Sequence, residues 1–192
     1  MLYCTPAPPR PAPATPNLQT GIVNATGRGA ANNLVGDPVK KPKVMKVKKC
    51  SKQSDIAWVP PKGAPRWVIA YYNQTPAPVI ATTDGIILYT LNRGNLVPPI
   101  KEISILVQPA KAGAPVVEAF MAVGADLKGI ACPGPTRFGL SFAQPPAGMT
   151  VEELSASTIK GVKIQLNDTS VVRKYELAHI AGVGLALTQP DK

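Results

Sequence analysis

The amino-acid sequence predicts an all-β protein, an antiparallel sandwich that follows an extended basic N-terminal arm. Its 192 residues include 22 prolines and 16 glycines, which break the chain into short segments. Many of these segments are rich in β-forming residues, at the spacing typical of an all-β sandwich or barrel. No amphipathic span of about 10 to 15 residues is present that could cross over between parallel strands. The strands are therefore expected to be antiparallel.

The positive charge of the chain is concentrated near its N-terminus. Eleven of the 21 Lys and Arg residues lie in the first 66 residues, opposed only by Asp37 and Asp55, so this part has a net charge of +9. The remaining ten bases face nine acids, a net charge of +1. The chain is therefore divided into an arm at residues 1–65 and one domain at residues 66–192. This layout is expected when one end meets a polyanion and the other packs against protein.

The arm begins with a proline-rich stretch. Residues 1–16 contain six prolines, which fix φ, remove amide donors and favour extended or polyproline II backbone. Residues 17–37 are rich in Gly, Asn, Ala and Thr, a composition that buries too little apolar area to fold alone. A connector is therefore predicted at residues 17–37.

A run of lysines without any acid is the strongest functional signal in the chain. It comprises Lys40, Lys41, Lys43, Lys46, Lys48, Lys49 and Lys52. Lysine is a compact, hydrated point charge on a flexible stem, suited to contacting phosphates without reading bases. The run is therefore predicted to bind nucleic acid, whereas a run that only aids solubility is the alternative. The apolar Val44, Met45 and Val47 favour the first interpretation because they indicate an ordered, strand-like lead-in. A nuclear-localisation role is compatible with both.

Ten segments of the domain are candidate strands. They lie at residues 66–73, 78–82, 85–92, 101–108, 115–123, 128–132, 136–143, 161–167, 171–177 and 179–188. The alternation in residues 101–108 places Ile103, Ile105 and Val107 on one face, which is predicted to be the core face. The one clear helix signal is a capping box from Thr150 to Glu153, which predicts one or two helical turns at residues 151–157.

The sequence contains no motif for catalysis or cofactor binding. Its single histidine, His179, lies in an apolar run and is predicted to be a packed or interface residue. No nucleophile elbow, phosphate-binding loop or zinc motif occurs, so no enzyme activity, catalytic residue, cofactor or small-molecule substrate is expected. Four acids could in principle bind Ca²⁺: Asp84, Glu118, Asp126 and Asp168. They are predicted to be solvated loop residues, so no metal site is expected.

Two further residue types bear on the fold. Cys4, Cys50 and Cys132 are odd in number and far apart, so no disulfide framework is expected. Trp58 and Trp67 flank the prolines at the junction of arm and domain, and they are predicted to anchor the arm to the sheet rather than to stack on bases. No apolar run approaches the roughly 20 residues of a membrane span, and the N-terminus lacks the pattern of a secretory signal. A soluble, non-secreted protein is expected.

Three stretches carry a resemblance to a known family: the lysine run KKPKVMKVKK, the junction WVPPKGAPRW and the apolar, strand-like end HIAGVGLALT. Together with the order of arm and domain, they resemble the single jelly-roll coat proteins of small icosahedral, plant-type positive-strand RNA viruses. The resemblance implies an eight-stranded antiparallel jelly roll at residues 66–192. It also implies a homo-oligomeric shell that packages single-stranded RNA through the arm, located in the virion and assembled in the host cytoplasm. Residues 1–37 would either face the genome or lie along subunit contacts.

Two other functions are compatible with this charge pattern. A structural RNA-binding subunit of a large ribonucleoprotein also uses basic tails, but its folded part usually carries positive charge as well. A cement or accessory capsid protein would need no polyanion partner, and the lysine run argues against it. The nearly neutral domain therefore favours the coat protein.

Overall fold

The structure is a computed structural model in which two antiparallel sheets face each other. It describes the backbone of residues 17–19 and 22–27 and, with side chains, residues 31–36, 40–51, 55–59, 66–72, 77–92, 100–121, 130–142, 144–166 and 178–188.

The described residues form strands, two short helices and two 3₁₀ turns. The strands are β1 (Asn17–Gln19), β2 (Ile22–Gly27), β3 (Trp67–Tyr72), β4 (Thr83–Asn92), β5 (Ile100–Gln108), β6 (Val117–Phe120), β7 (Gly134–Gly139), β8 (Thr158–Leu166) and β9 (His179–Leu187). The helices are α1 (Pro42–Met45) and α2 (Val151–Ser155), and the 3₁₀ turns are Ala31–Leu34 and Ile80–Thr82.

The strands are divided between a four-stranded and a five-stranded sheet. The four-stranded sheet has the order β1-β9-β4-β7, and the five-stranded sheet has the order β2-β3-β8-β5-β6. Every pair of neighbouring strands is antiparallel. The predicted all-β, antiparallel fold is therefore confirmed.

The pairing of the strands is nested along the chain. When β2 is set aside, the first strand pairs with the last (β1 with β9), the second with the second last (β3 with β8), and so inward through β4 with β7 to β5 with β6. This is the pattern of one long antiparallel ribbon rolled into two sheets. It brings segments from both ends of the chain into the same sheet.

The main core lies between the two sheets, where each strand turns one face inward. In β5, Ile103, Ile105 and Val107 are fully buried in this core, as predicted from their alternation. Ile86 and Leu88 of β4 contribute from the facing sheet. The inward-facing residues of β3, β8 and β9 complete the core.

Seven of the ten candidate segments correspond to strands, namely β3 to β9. The segment at 78–82 is wrong as a strand because the hydroxyls of Thr82 and Thr83 both donate to the carbonyl of Val79, at 3.2 and 2.8 Å, and close a 3₁₀ turn instead. At 128–132, residues 130–132 form no strand and the other two lie outside the described residues. The segment at 171–177 also lies outside them.

Parts of the predicted arm belong to the sandwich. β1 pairs with β9 and β2 pairs with β3, so the connector predicted at residues 17–37 is wrong for these strands. Leu34 and Trp58 are fully buried in the main core. The backbone of Trp58 also exchanges two hydrogen bonds with that of Ile180, at 2.7 and 3.2 Å. Trp58 therefore anchors the arm, as predicted, whereas the boundary after residue 65 stays a prediction.

The predicted helix is confirmed as α2, together with its capping box. The hydroxyl of Thr150 accepts a hydrogen bond from the backbone N–H of Glu153 at 3.1 Å. The carboxylate of Glu153 in turn accepts one from the backbone N–H of Thr150 at 2.8 Å. Two N–H groups that the helix leaves unsatisfied are thus paired locally.

Candidate nucleic-acid interface

The lysine run starts with a helical turn. Pro42 occupies the first position of α1, where its fixed φ suits a helix and its missing N–H costs nothing. Val44 is fully buried and Val47 partly buried, three residues apart on one side of the turn, while Met45 is exposed. The strand-like lead-in predicted for this stretch is therefore wrong, and the spacing of its two valines is helical.

Val44 anchors the lysine run to the outer side of the four-stranded sheet. It belongs to a small cluster with Ala57, Leu91 and Ala181, separate from the main core. Because side chains alternate along β4, Leu91 lies on the face opposite Ile86 and Leu88. The run therefore lies across the sheet face that points away from the core.

Lys41 adds a polar anchor next to Val44. Its Nζ donates hydrogen bonds to the carbonyl oxygen of Asn33 at 2.6 Å and to that of Ala181 at 3.3 Å. Its side chain is half-buried, and two of the three Nζ donors are used by the protein itself. Lys41 thus holds the run in place.

A disulfide fixes the far end of the run. Cys50 is bonded to Cys132, 82 residues further along the chain, so the expectation of no disulfide is wrong. The backbone N–H of Ser51 also donates to the carbonyl of Leu91 at 3.0 Å. These contacts bring Cys50 to the end of β4, close to the residues that precede β7. The sequence held no signal for this pairing because only the fold makes the two cysteines neighbours.

Four of the predicted lysines form one exposed surface between these anchors. Lys43, Lys46, Lys48 and Lys49 are all exposed, and with Val47 and Ser51 they line a groove of about 460 Å³. No carboxylate lines this groove, and none of the four lysines forms an ion pair with a described residue. We call these four residues the lysine surface. It presents a concentrated positive charge to solvent.

The other three predicted lysines are not part of the lysine surface. Lys40 is exposed and lines a second groove of about 640 Å³ together with Lys41, Lys43 and Asp55. The carboxylate of Asp55 offsets part of the positive charge there. Lys52 lies outside the described residues. The structure thus brings four of the seven lysines together, whereas Lys41 anchors the run to the sheet.

The lysine surface suits the binding of phosphates. Lysine ammonium groups contact phosphate oxygens as point charges and carry no information about base sequence. No aromatic side chain lines the groove that could stack on a base. The arrangement therefore favours a polyanion of any sequence over a specific base.

The remaining titratable groups form no second site within the described ranges. His179 is buried, as predicted for a packed residue. Burial raises the pKa of Tyr72 far above its ordinary value and keeps its hydroxyl neutral. Asp84 pairs with Arg137 at 3.5 Å and accepts a hydrogen bond from Thr188 at 2.6 Å.

Glu118 lies on the other sheet from Asp84 and has its own partners. Its carboxylate accepts hydrogen bonds from Lys163 Nζ at 2.8 and 3.1 Å and from the hydroxyl of Ser104. The two acids are therefore not brought together, and Asp126 and Asp168 lie outside the described residues. Among the residues that the structure describes, no group of three His, Cys, Asp or Glu side chains is placed to hold a metal ion.

No helix in the described part of the chain is long and apolar enough to cross a membrane. Comparison of the chain with protein-family models, with curated proteins and with solved structures finds no match in any of the three.

Proposed function

We propose that this chain is the coat protein of a small icosahedral RNA virus, which assembles into a closed shell and packages single-stranded RNA. The observation that carries the proposal is the lysine surface, held on one outer sheet face of an otherwise nearly neutral sandwich. Val44 and Lys41 hold it at one end and the Cys50–Cys132 disulfide holds it at the other. Such a one-sided charge suits a subunit that turns one face toward packaged RNA and contacts its neighbouring subunits through nearly neutral surfaces.

The nested strand pairing supports a jelly roll as the fold of this subunit. A jelly roll is a sandwich of eight strands in two sheets, and it is common in viral capsids. β3 to β9 supply seven strands, and β1 from the arm supplies the eighth beside β9. β2 is then an additional strand at the edge of the five-stranded sheet. On this proposal the arm contributes to the fold of the shell as well as to RNA binding.

RNA binding through the lysine surface predicts a steep dependence on salt. Each phosphate contact to single-stranded RNA contributes about −0.7 to the slope of log K against log salt concentration. The four lysines of the lysine surface together give a slope of about −3. We therefore expect the variant K43A/K46A/K48A/K49A to flatten the slope by about 3. The measurement is a salt titration of binding to a short, unstructured oligoribonucleotide.

A pair of double variants with the same charge provides the control. Lys48→Ala with Lys49→Ala should flatten the slope by about 1.4, because two contacts are lost. Lys101→Ala with Lys111→Ala also removes two exposed lysines, but these lie outside the lysine surface, and the slope should not change. Equal effects of the two double variants would show that only net charge matters and would contradict the proposed interface.

Assembly is tested separately by sedimentation and electron microscopy of the full-length protein with RNA at low salt. The coat-protein proposal predicts large, uniform, closed particles that contain RNA. A protein that binds RNA through the lysine surface and yet stays monomeric would overturn the coat-protein proposal and favour a subunit of a ribonucleoprotein. A protein that forms shells without RNA dependence would favour an accessory capsid protein.

A further inference from the structure

The disulfide is placed so that it controls the lysine surface. Cys50 directly follows Lys48 and Lys49 in the chain, and its side chain is exposed, whereas Cys132 is half-buried. The bond joins the end of the lysine run to the residues just before β7, which is the edge strand of the four-stranded sheet. A change at Cys50 is therefore transmitted to the neighbouring lysines through one or two peptide units.

The two ends of the lysine run are held differently. At its start, Val44 is buried in the small cluster and Lys41 donates to two backbone carbonyls. Toward its end, Val47 packs against the same cluster, and beyond Val47 the chain is tied by the disulfide and by a hydrogen bond from Ser51 N–H to the carbonyl of Leu91. Breaking the disulfide therefore leaves the start of the run in place and loosens its end. Lys48 and Lys49 lie in this stretch, between Val47 and Cys50.

We propose that the Cys50–Cys132 disulfide is a redox-controlled clamp that holds the lysine surface in its RNA-binding arrangement, and that thiols weaken RNA binding by opening it. The regulation rests on the proposed function. The closed clamp fixes the chain that carries the lysines before RNA arrives, so binding orders fewer groups. When the disulfide is reduced, the chain that carries the lysines must be ordered during RNA binding, which lowers the affinity. A disulfide forms and persists in oxidising surroundings and is reduced where thiols are abundant, so the same chain binds RNA more tightly outside a reducing compartment.

The opening step is an ordinary thiol–disulfide exchange. The thiolate of a small thiol attacks the exposed Cys50 Sγ, the bond to Cys132 Sγ breaks, and Cys132 leaves as a thiolate that takes up a proton. A second thiol then attacks the mixed disulfide, which releases Cys50 as a thiol and the reductant as its own disulfide. Two thiols are oxidised for each protein disulfide reduced.

The test uses the full chain with Cys4→Ser, so that only the two cysteines of the clamp remain. Oxidised and dithiothreitol-reduced protein are compared in two measurements, cleavage by trypsin after the lysines of the run and affinity for a short oligouridylate. Reduction is expected to accelerate the cleavage about tenfold, since proteolysis follows the population of the opened segment. It is also expected to weaken RNA binding about three- to tenfold, by adding the ordering of several side chains.

The variant Cys4→Ser/Cys50→Ser/Cys132→Ser should behave as the reduced protein whether or not dithiothreitol is present. If it does not fold, reduced Cys4→Ser protein serves the same purpose, with its thermal unfolding transition as evidence of folding. Accelerated cleavage with unchanged RNA affinity would overturn the regulation and leave the proposed RNA binding intact. Unchanged cleavage would show that the disulfide clamps nothing. No RNA binding by either form would overturn the proposed function itself, and the regulation with it.

Discussion

At the scale of single residues, Glu118 is held by partners on two neighbouring strands. It lies on β6 and accepts hydrogen bonds from Ser104 on β5 and Lys163 on β8. Partial burial alone would raise its pKa, but the hydrogen bonds from Lys163 and Ser104 and the charge of Lys163 outweigh this and hold the pKa below its ordinary value. The carboxylate therefore ties three strands of the five-stranded sheet together in its charged form.

This arrangement predicts that Glu118→Gln lowers the free energy of unfolding at pH 7 by about 1 to 2 kcal/mol, because charge-assisted hydrogen bonds to a partly buried group are weakened. Since the folded pKa is lower than the unfolded one, the contribution is complete above the unfolded pKa of about 4.3. It disappears as the pH falls through the folded pKa. The stability difference between wild type and variant should therefore vanish in acid, as measured by urea denaturation across pH 3 to about 7.

Glu102→Gln provides the matched control, because Glu102 lies on β5 and the variant removes the same charge from a neighbouring strand. It should change the stability by less than about 0.5 kcal/mol. If Glu118→Gln is equally neutral at pH 7, or if its effect does not shrink as the pH falls below about 4, the ion pair does not stabilise the sheet in its charged form.

At the scale of the elements, β4 and β7 approach each other closely at one pair of glycines. Gly85 of β4 is paired with Gly139 of β7. A Cβ on Gly85 would overlap the backbone carbonyl of Phe138, whereas a Cβ on Gly139 meets nothing within 4 Å. The overlap involves backbone atoms, which cannot move aside without disturbing the ladder. The two paired glycines therefore differ in the space that each leaves for a side chain.

Gly85→Ala is therefore expected to lower the free energy of unfolding by about 1 to 3 kcal/mol, the usual cost of overpacking. Gly139→Ala should change it by no more than about 0.5 kcal/mol. Thermal unfolding of both variants measures the difference. If both variants are destabilised equally, the loss of stability comes from replacing glycine as such and not from the contact with Phe138.

The local features of the fold were predictable from the sequence. The alternation around Ile103 and the capping box of Thr150 and Glu153 are both set by neighbours within a few residues, and both are confirmed. In the candidate site, the exposure of Lys43, Lys46, Lys48 and Lys49 followed from their charge.

The long-range features were not predictable in this way. The disulfide joins residues 82 positions apart, and the anchoring of Lys41 depends on carbonyls of Asn33 and Ala181 that only the fold brings near. The strands β1 and β2 were missed because their composition is that of a connector. Their order comes from pairing with β9 and β3 rather than from their own propensity.

At the scale of the whole molecule, the arm and the sandwich share one core. Deleting residues 1–65 would remove β1, β2 and the buried Leu34 and Trp58. Loss of a buried Trp side chain alone costs about 3 to 5 kcal/mol, against a typical total stability of about 5 to 15 kcal/mol. We therefore expect residues 66–192 alone to lose the cooperative unfolding transition.

Deletion of residues 1–16 is the control, because it leaves every described strand in place. This shorter truncation should keep the transition within a few degrees of the full-length protein. Calorimetry or circular dichroism of the two truncations decides the matter. A sharp, unshifted transition for residues 66–192 would instead confirm the boundary after residue 65 and make the arm a dispensable addition.

The position of β9 has a consequence for synthesis. β9 is the last of the described strands in chain order, yet in the sheet it lies between β1 and β4. β1 can gain its partner, and β4 its second partner, only when residues 179–187 have left the ribosome, about 7 to 27 s after the lysine run at about 5 to 20 residues per second. Each new chain therefore exposes its cationic segment to surrounding RNA well before its own sandwich can close.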